Sequence, residues 1–134
     1  MSDASLELQA AVVAALKSSP DVAAIVSSRI FDQVPSNATF PYISLGPDQV
    51  LSDGAECVDG LEISLQIDVW SRAVGFPETK RIAGAVRAAL HLVDLDLPTA
   101  ALLSLEHRQT RTLRDRDGIT SHAVIEFTAL VELP

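Results

Sequence analysis

The sequence predicts an α+β fold: a mostly antiparallel sheet of four or five strands, about three helices packed on one face, and a projecting C-terminal β-hairpin. Three observations predict it. Leu61, Ile63, Leu65, Ile67 and Val69 alternate with Glu62, Ser64, Gln66 and Asp68, the period of two that gives a strand one buried and one wet face. Ile82, Val86 and Leu90, with Ala85 and Ala89, recur at helical spacing. Two long extended segments near the end flank Asp117-Gly118, a hairpin-turn signal because Gly takes positive φ without steric cost. The 134 residues fit one domain, 1–134. The hydrophobic share is 48% but aromatics are only 4%, so the core must be built from Ala, Val, Leu and Ile.

The elements follow in order. Leu6, Ala10, Val13 and Leu16 recur at helical spacing, and Ser5 stands where an N-cap belongs, so Ser5 to Lys17 reads as an amphipathic helix. Ser19-Pro20-Asp21 opens a second, short helix to about Val26; Pro20 lacks an amide hydrogen where none is needed. Arg29 to Val34 reads as short and extended, and Pro35 to Phe40 as a loop. Tyr42 to Gly46 reads as a strand, with Pro41 marking its start or an edge. Asp48 to Gly60 carries four acids and reads as a solvated loop. The alternating strand Leu61–Trp70 comes next, then a helix over Glu78–His91, with Glu78 and Arg87 suiting its dipole. After a connection from Asp94 to Ala101, strands of about Leu102–Leu113 and Ile119–Leu133 close the chain.

The final hairpin has two different arms. Ala123, Ile125, Phe127, Ala129 and Val131 share one face of its second strand. From Glu106 to Thr112 its first strand has no aliphatic residue at all. A strand with two polar faces cannot be buried in a core, so the tip should project.

Eighteen acidic residues against ten basic ones give a net charge of -8. Nucleic-acid binding needs Lys and Arg to displace counterions, so this balance argues against DNA gripping. A single cysteine, Cys57, excludes an intrachain disulfide and suggests a reducing compartment. No basic leader followed by an apolar stretch opens the chain, and no apolar run nears the ~20 residues of a membrane span, so a protein made in the cytoplasm and free of membranes is expected.

Chemistry-bearing motifs are absent: no Gly-rich phosphate loop, no HExxH, no CxxC. His107 and His122 could face each other across the hairpin, with Glu106 or Glu126 as a third metal ligand; isolated surface histidines are the simpler reading. Cys57 lies between Glu56 and Asp59, where carboxylates raise a thiol's pKa and weaken it as a nucleophile. Asp94 and Asp96 read as solvating or capping groups, and Trp70 as a strand-end residue packed on a neighbour. No catalytic residue, cofactor or metal is expected.

Charge layout is more informative. Seven acids and no base lie between Arg29 and Arg72, whereas the hairpin region holds Arg108, Arg111, Arg114 and Arg116. The candidate interface residues are these four arginines together with Asp48, Asp53, Glu56 and Asp59. Contact between two such patches of neighbouring copies is heterologous and can close into a ring.

Four segments carry a resemblance: Arg29-Ile30-Phe31-Asp32-Gln33-Val34-Pro35; Phe40-Pro41-Tyr42-Ile43-Ser44-Leu45-Gly46; Val69-Trp70-Ser71-Arg72 followed by a helix with Lys80, Ile82 and Ala83; and Leu113-Arg114-Asp115 with Asp117-Gly118. In this order, over about Leu6 to Leu133, they resemble the tail-completion proteins of phages and prophages, which include the tail terminators of siphophages and gene transfer agents. Phe76-Pro77 departs from the smaller, polar residues expected there. The resemblance implies an α+β structural subunit of a virion tail, forming a ring, hexameric in relatives. Such a ring caps the head-proximal end of the tail tube and joins it to a head connector or stopper protein. DNA then passes through without specific binding. Another head–tail connector or tail-tube component ranks second, and a small-molecule-binding or enzymatic domain third.

Overall fold

The computed structural model describes residues 3–52 and 59–134. The elements are α1 (Ala4–Ser18), α2 (Pro20–Val26), β1 (Ile30–Phe31), β2 (Tyr42–Ser52), β3 (Gly60–Ser71), α3 (Pro77–Leu90), β4 (Ala101–Arg114) and β5 (Ser121–Glu132). The five strands form one sheet in the order β1-β2-β3-β5-β4. Among the described residues only the β1–β2 pair is parallel; the other three are antiparallel. The three helices pack against one another, and α3 lies on β3, β5 and β4.

At the centre, β3 and β5 pair without interruption from Gly60 opposite Glu132 to Ser71 opposite Ser121. Their apolar residues therefore fall on one face in matched rows: Ile63 beside Ala129, Leu65 beside Phe127, Ile67 beside Ile125, Val69 beside Ala123. Leu8, Val12, Leu16, Val22, Val26, Ile82, Val86 and Leu90 close over that face from the helices. Ile67, Ile125, Phe127 and Ile82 are fully buried, and each such side chain contributes about 1.5–3 kcal/mol by leaving water.

Helix starts follow local hydrogen bonding. Asp3, rather than Ser5, caps α1: its carboxylate accepts from Ser5 N at 2.8 Å and Leu6 N at 3.3 Å. The Ser5 hydroxyl donates to the same oxygen, and these bonds hold the Asp3 pKa below its ordinary value. Ser19 caps α2, with Pro20 in its first turn.

The register of α1 differs from the sequence expectation. Leu8, Val12 and Leu16 face the core, whereas Leu6 is 60% exposed and Ala10 also faces outward. Glu7 fixes this rotation. It is buried, and its carboxylate accepts from Thr99 N at 2.9 Å, Thr99 Oγ1 at 2.5 Å and Ala100 N at 3.2 Å, tying α1 to the start of β4. The Thr99 hydroxyl, then the Thr99 amide, lower the Glu7 pKa.

Two strand boundaries also differ. The extended stretch expected over Arg29–Val34 pairs only at Ile30 and Phe31. The loop expected over Asp48–Gly60 is strand as far as Ser52, because backbone pairing with β3 from Asp48 opposite Leu65 to Ser52 opposite Leu61 outweighs its polar composition. Gly46 and Pro47 form a bulge that makes the continuation possible. A Cβ on Gly46 would sit 2.7 Å from Asp68 Oδ2 and 2.8 Å from Gln66 Nε2, so glycine permits that close approach. The hairpin strands match expectation within two residues, and the turn from Asp115 to Thr120 extends past the last β3–β5 pair.

Two expectations follow. Phe127→Ala should cost about 3–5 kcal/mol in urea unfolding, since the ring is wholly enclosed. A Glu7→Gln chain should melt lower than the parent at neutral pH. Because the folded pKa of Glu7 lies below its ordinary 4.5, that stabilisation is complete above pH 4.5 and is lost as pH falls through the folded value. The gap between the two melting curves should therefore narrow in acid; a gap independent of pH would refute the carboxylate's role.

Candidate subunit interface

The four segments of the sequence resemblance meet at one end of the sheet. Tyr42 lies 5.8 Å from Phe31, 5.0 Å from Phe40 and 6.5 Å from Trp70, centroid to centroid. Trp70 stacks on His122 at 3.8 Å with an interplanar angle of 10°. Its indole donates to Ser44 Oγ at 3.0 Å, and His122 Nε2 meets Asp68 Oδ1 at 2.6 Å. The residue expected at a wet strand end is thus half-buried on the sheet face opposite the helices. Burial raises the Tyr42 pKa, with Arg72 acting in the other direction.

Arginines lock this end together. Arg29 donates to Pro41 O at 2.8 Å and to Ile25 O at 3.4 Å. Arg72 lies 4.3 Å above the Phe40 ring, donates to Thr120 Oγ1 at 3.1 Å and sits 3.8 Å from Asp117. Asp117 organises the hairpin turn by accepting from Ile119 N, Thr120 N and Thr120 Oγ1; the Thr120 hydroxyl is the main cause of its lowered pKa. Gly118 follows with φ 74°.

The hairpin arginines do not share one face. Arg111 pairs with Val124 on the side of Trp70 and Asp68. Arg114 pairs with Ser121 on the helix side, where its guanidinium lies 4.6 Å over the Phe76 ring. Arg108 occupies the bulge between His107 and Gln109, and Arg116 is in the exposed turn. Among the described residues, neither Arg108 nor Arg111 forms an ion pair. Of the acids, Asp48 is exposed on β2 and Asp59 is exposed just before β3; Asp53 and Glu56, like Cys57, lie outside the described residues. The structure thus places Asp48 and the arginines on opposite lateral sides of the sheet, with β3 and β5 between.

Both lateral edges are partly covered. On β4, Leu105 O accepts from Leu92 N at 2.8 Å, and His107 N donates to His91 Nδ1 at 3.0 Å. On β2, β1 pairs only at Ile43 and Ser44. Gln109–Arg114 on one side and Asp48–Ser52 on the other are left as outer strand edges among the described residues. Asp32, next to β1, adds an acid to the second side that the sequence reading did not single out; its carboxylate accepts from Gln9 Nε2 at 3.3 Å.

The histidine pairing considered from sequence is not formed. His107 is opposite Phe127 and His122 opposite Leu113, on different faces of the sheet. His107 instead meets the edges of Phe127 and His91, and burial, with Arg87 and His91 adding to it, lowers its pKa. Among the described residues, no three His, Cys, Asp or Glu side chains are grouped to hold a metal. The outward face of α1, Leu6, Ala10, Val13 and Ala14 beside Ile30, forms a shallow apolar groove. The signal for it was present in the sequence: the helix read as amphipathic has an unbroken apolar run, Ala10–Leu16, as helices with a partner on more than one side do.

A family profile described as "Tail completion protein gp17" matches residues 10–132. The chain belongs to the tail completion protein gp17 family. It is accordingly a structural tail protein of a virion. A solved structure described as "Virion of native gene transfer agent (GTA) particle" contains a similar chain, 32% identical, with a TM-score of 0.87 over 93% of this chain and 94% of that one. No curated protein matches. Within this tail completion protein, the aromatic end of the sheet is where the four segments of the resemblance converge.

The arginines should respond unequally to substitution. Arg114→Glu should cost about 0.5–1 kcal/mol of stability through loss of the Phe76 contact. Arg111→Glu should stay within about 0.5 kcal/mol of the parent, as exposed changes do. Chemical denaturation of the two variants separates them.

Proposed function

We propose that this chain is the tail terminator: a ring subunit, hexameric by resemblance, that caps the head-proximal end of the tail tube and joins it to the head connector. The observation that carries the reading is the match to the tail completion family over residues 10–132 together with the near-complete overlap on a chain of a gene transfer agent particle. Surface chemistry supports it. A copy carries acids on one lateral side and arginines on the other, which suits heterologous contact around a closed ring. With a net charge of -8, a ring of such subunits repels the DNA that passes through it rather than trapping it.

Partners are then a second copy, the last ring of tube protein and a head-side connector, all engaged by shape and surface. Docking of this kind needs rigid subunits, which the buried core and the arginine-locked end of the sheet supply.

Electron microscopy of particles assembled without the chain should show overlong tails or tails detached from heads. Purified chain added to isolated tubes should decorate one end only. Decoration along the whole tube would instead identify a tube component, and normal tails in its absence would refute the terminator reading.

A further inference from the structure

The strand segments on the two lateral sides that no other described residue covers have the same length class and opposite charge. Gln109–Arg114 of β4 lies clear of the Leu92 and His91 contacts that cover Leu105 and His107. Asp48–Ser52 of β2 lies clear of β1, and all five of its residues are exposed, including Val50 at 43% and Leu51 at 45%. An uncovered edge is a row of unmatched backbone donors and acceptors, a template for another strand.

Resting on the ring reading, we infer that neighbouring copies join by backbone pairing. The Gln109–Arg114 edge of one copy adds antiparallel to the Asp48–Ser52 edge of the next, making one continuous sheet around the ring.

Topology fixes the direction. Between β2 and β4 lie three antiparallel steps, so β4 runs opposite to β2. Copies related by rotation keep their orientation, and β4 meets the next β2 antiparallel with the helices of both on the same face. The two faces then restrict the register, since a slip by one residue would exchange them. Asp48 shares the helix side with Thr112 and Arg114. Opposite Thr110, on the same side, it would bring Leu51 to His107, whose amide His91 already holds, so Asp48 comes opposite Thr112 or Arg114, and in either register its carboxylate is beside the Arg114 guanidinium, opposite or diagonal to it.

The stagger is that of a closed sheet. Asp48 lies level with Leu65 on β3, Thr112 with Val69 and Arg114 with Ser71. The joint therefore needs an offset of four to six residues, about 13–20 Å at ~3.3 Å per residue. Each copy spans four strand spacings of about 4.8 Å from one β2 to the next, roughly 19 Å. The ratio tilts the strands by roughly 35–45° from the ring axis, the range closed sheets adopt.

Cross-linking tests the joint, in a Cys57→Ser background. Val50→Cys is made in one chain and Thr110→Cys or Thr112→Cys in another. Within one copy these sites are three strand spacings apart and offset along the strands as well, so more than about 14 Å separates them, too far for a disulfide. Mixing the two chains, alone and on tail tubes, should give a covalent dimer that neither gives by itself. Arg114→Asp should weaken ring formation several-fold, and adding Asp48→Arg should restore it. If rings form or tube ends are capped but neither pair cross-links, edge pairing is wrong and the ring reading stands. If Val50→Cys or Thr112→Cys chains cross-link on their own, like edges meet, which also overturns the inference. If no ring forms and no tube end is capped, both readings fail together.

Discussion

The uninterrupted β3–β5 ladder is the constraint from which the rest of the structure follows. Twelve consecutive pairs leave no freedom in which side chains face the helices, because a slip of one residue would put Ile63, Ile67 and Phe127 in water. Both flanking strands adapt to it. β2 carries its irregularity at Gly46-Pro47, and β4 carries two, between Leu102 and Ser104 and between His107 and Gln109. The bulges keep Leu105 and Ile43 on the core side while Asp48–Ser52 of β2 and most of Arg108–Arg114 of β4 are exposed.

That frame divides the cations by role. Arg29 and Arg72 are consumed in holding the aromatic end together, through carbonyl contacts, a ring face and the Asp117 turn. Arg114 is shared between the Phe76 ring and the outer edge. Among the described residues, Arg108 and Arg111 form no ion pair, and both are exposed at the periphery. Two buried carboxylates, Glu7 on Thr99 and Asp68 on His122, are occupied with intramolecular hydrogen bonds.

Much of the candidate surface was legible in the sequence because composition reveals exposure on strands. A strand such as Glu106–Thr112, polar on both faces, has no place in a core, so its projection could be read directly, whereas its place at the sheet edge came from the topology. The division of the arginines between two faces could not, since it depends on the bulge at Arg108 and on Phe76 standing under Arg114. Nor could the cover over Leu105 and His107, which comes from residues that follow α3.

The sequence by itself determined the element types and their order. Period-two alternation in β3 and β5, helical spacing in α3, Ser19-Pro20 and Asp117-Gly118 each act over a few residues and leave a local record. Tertiary structure decided the rest. Which side of α1, with its apolar run Ala10–Leu16, is buried depends on Glu7 finding the Thr99 and Ala100 donors more than ninety residues away. Whether Asp48–Ser52 is loop or strand depends on a partner strand completing its backbone hydrogen bonds, a gain that polar side chains do not announce.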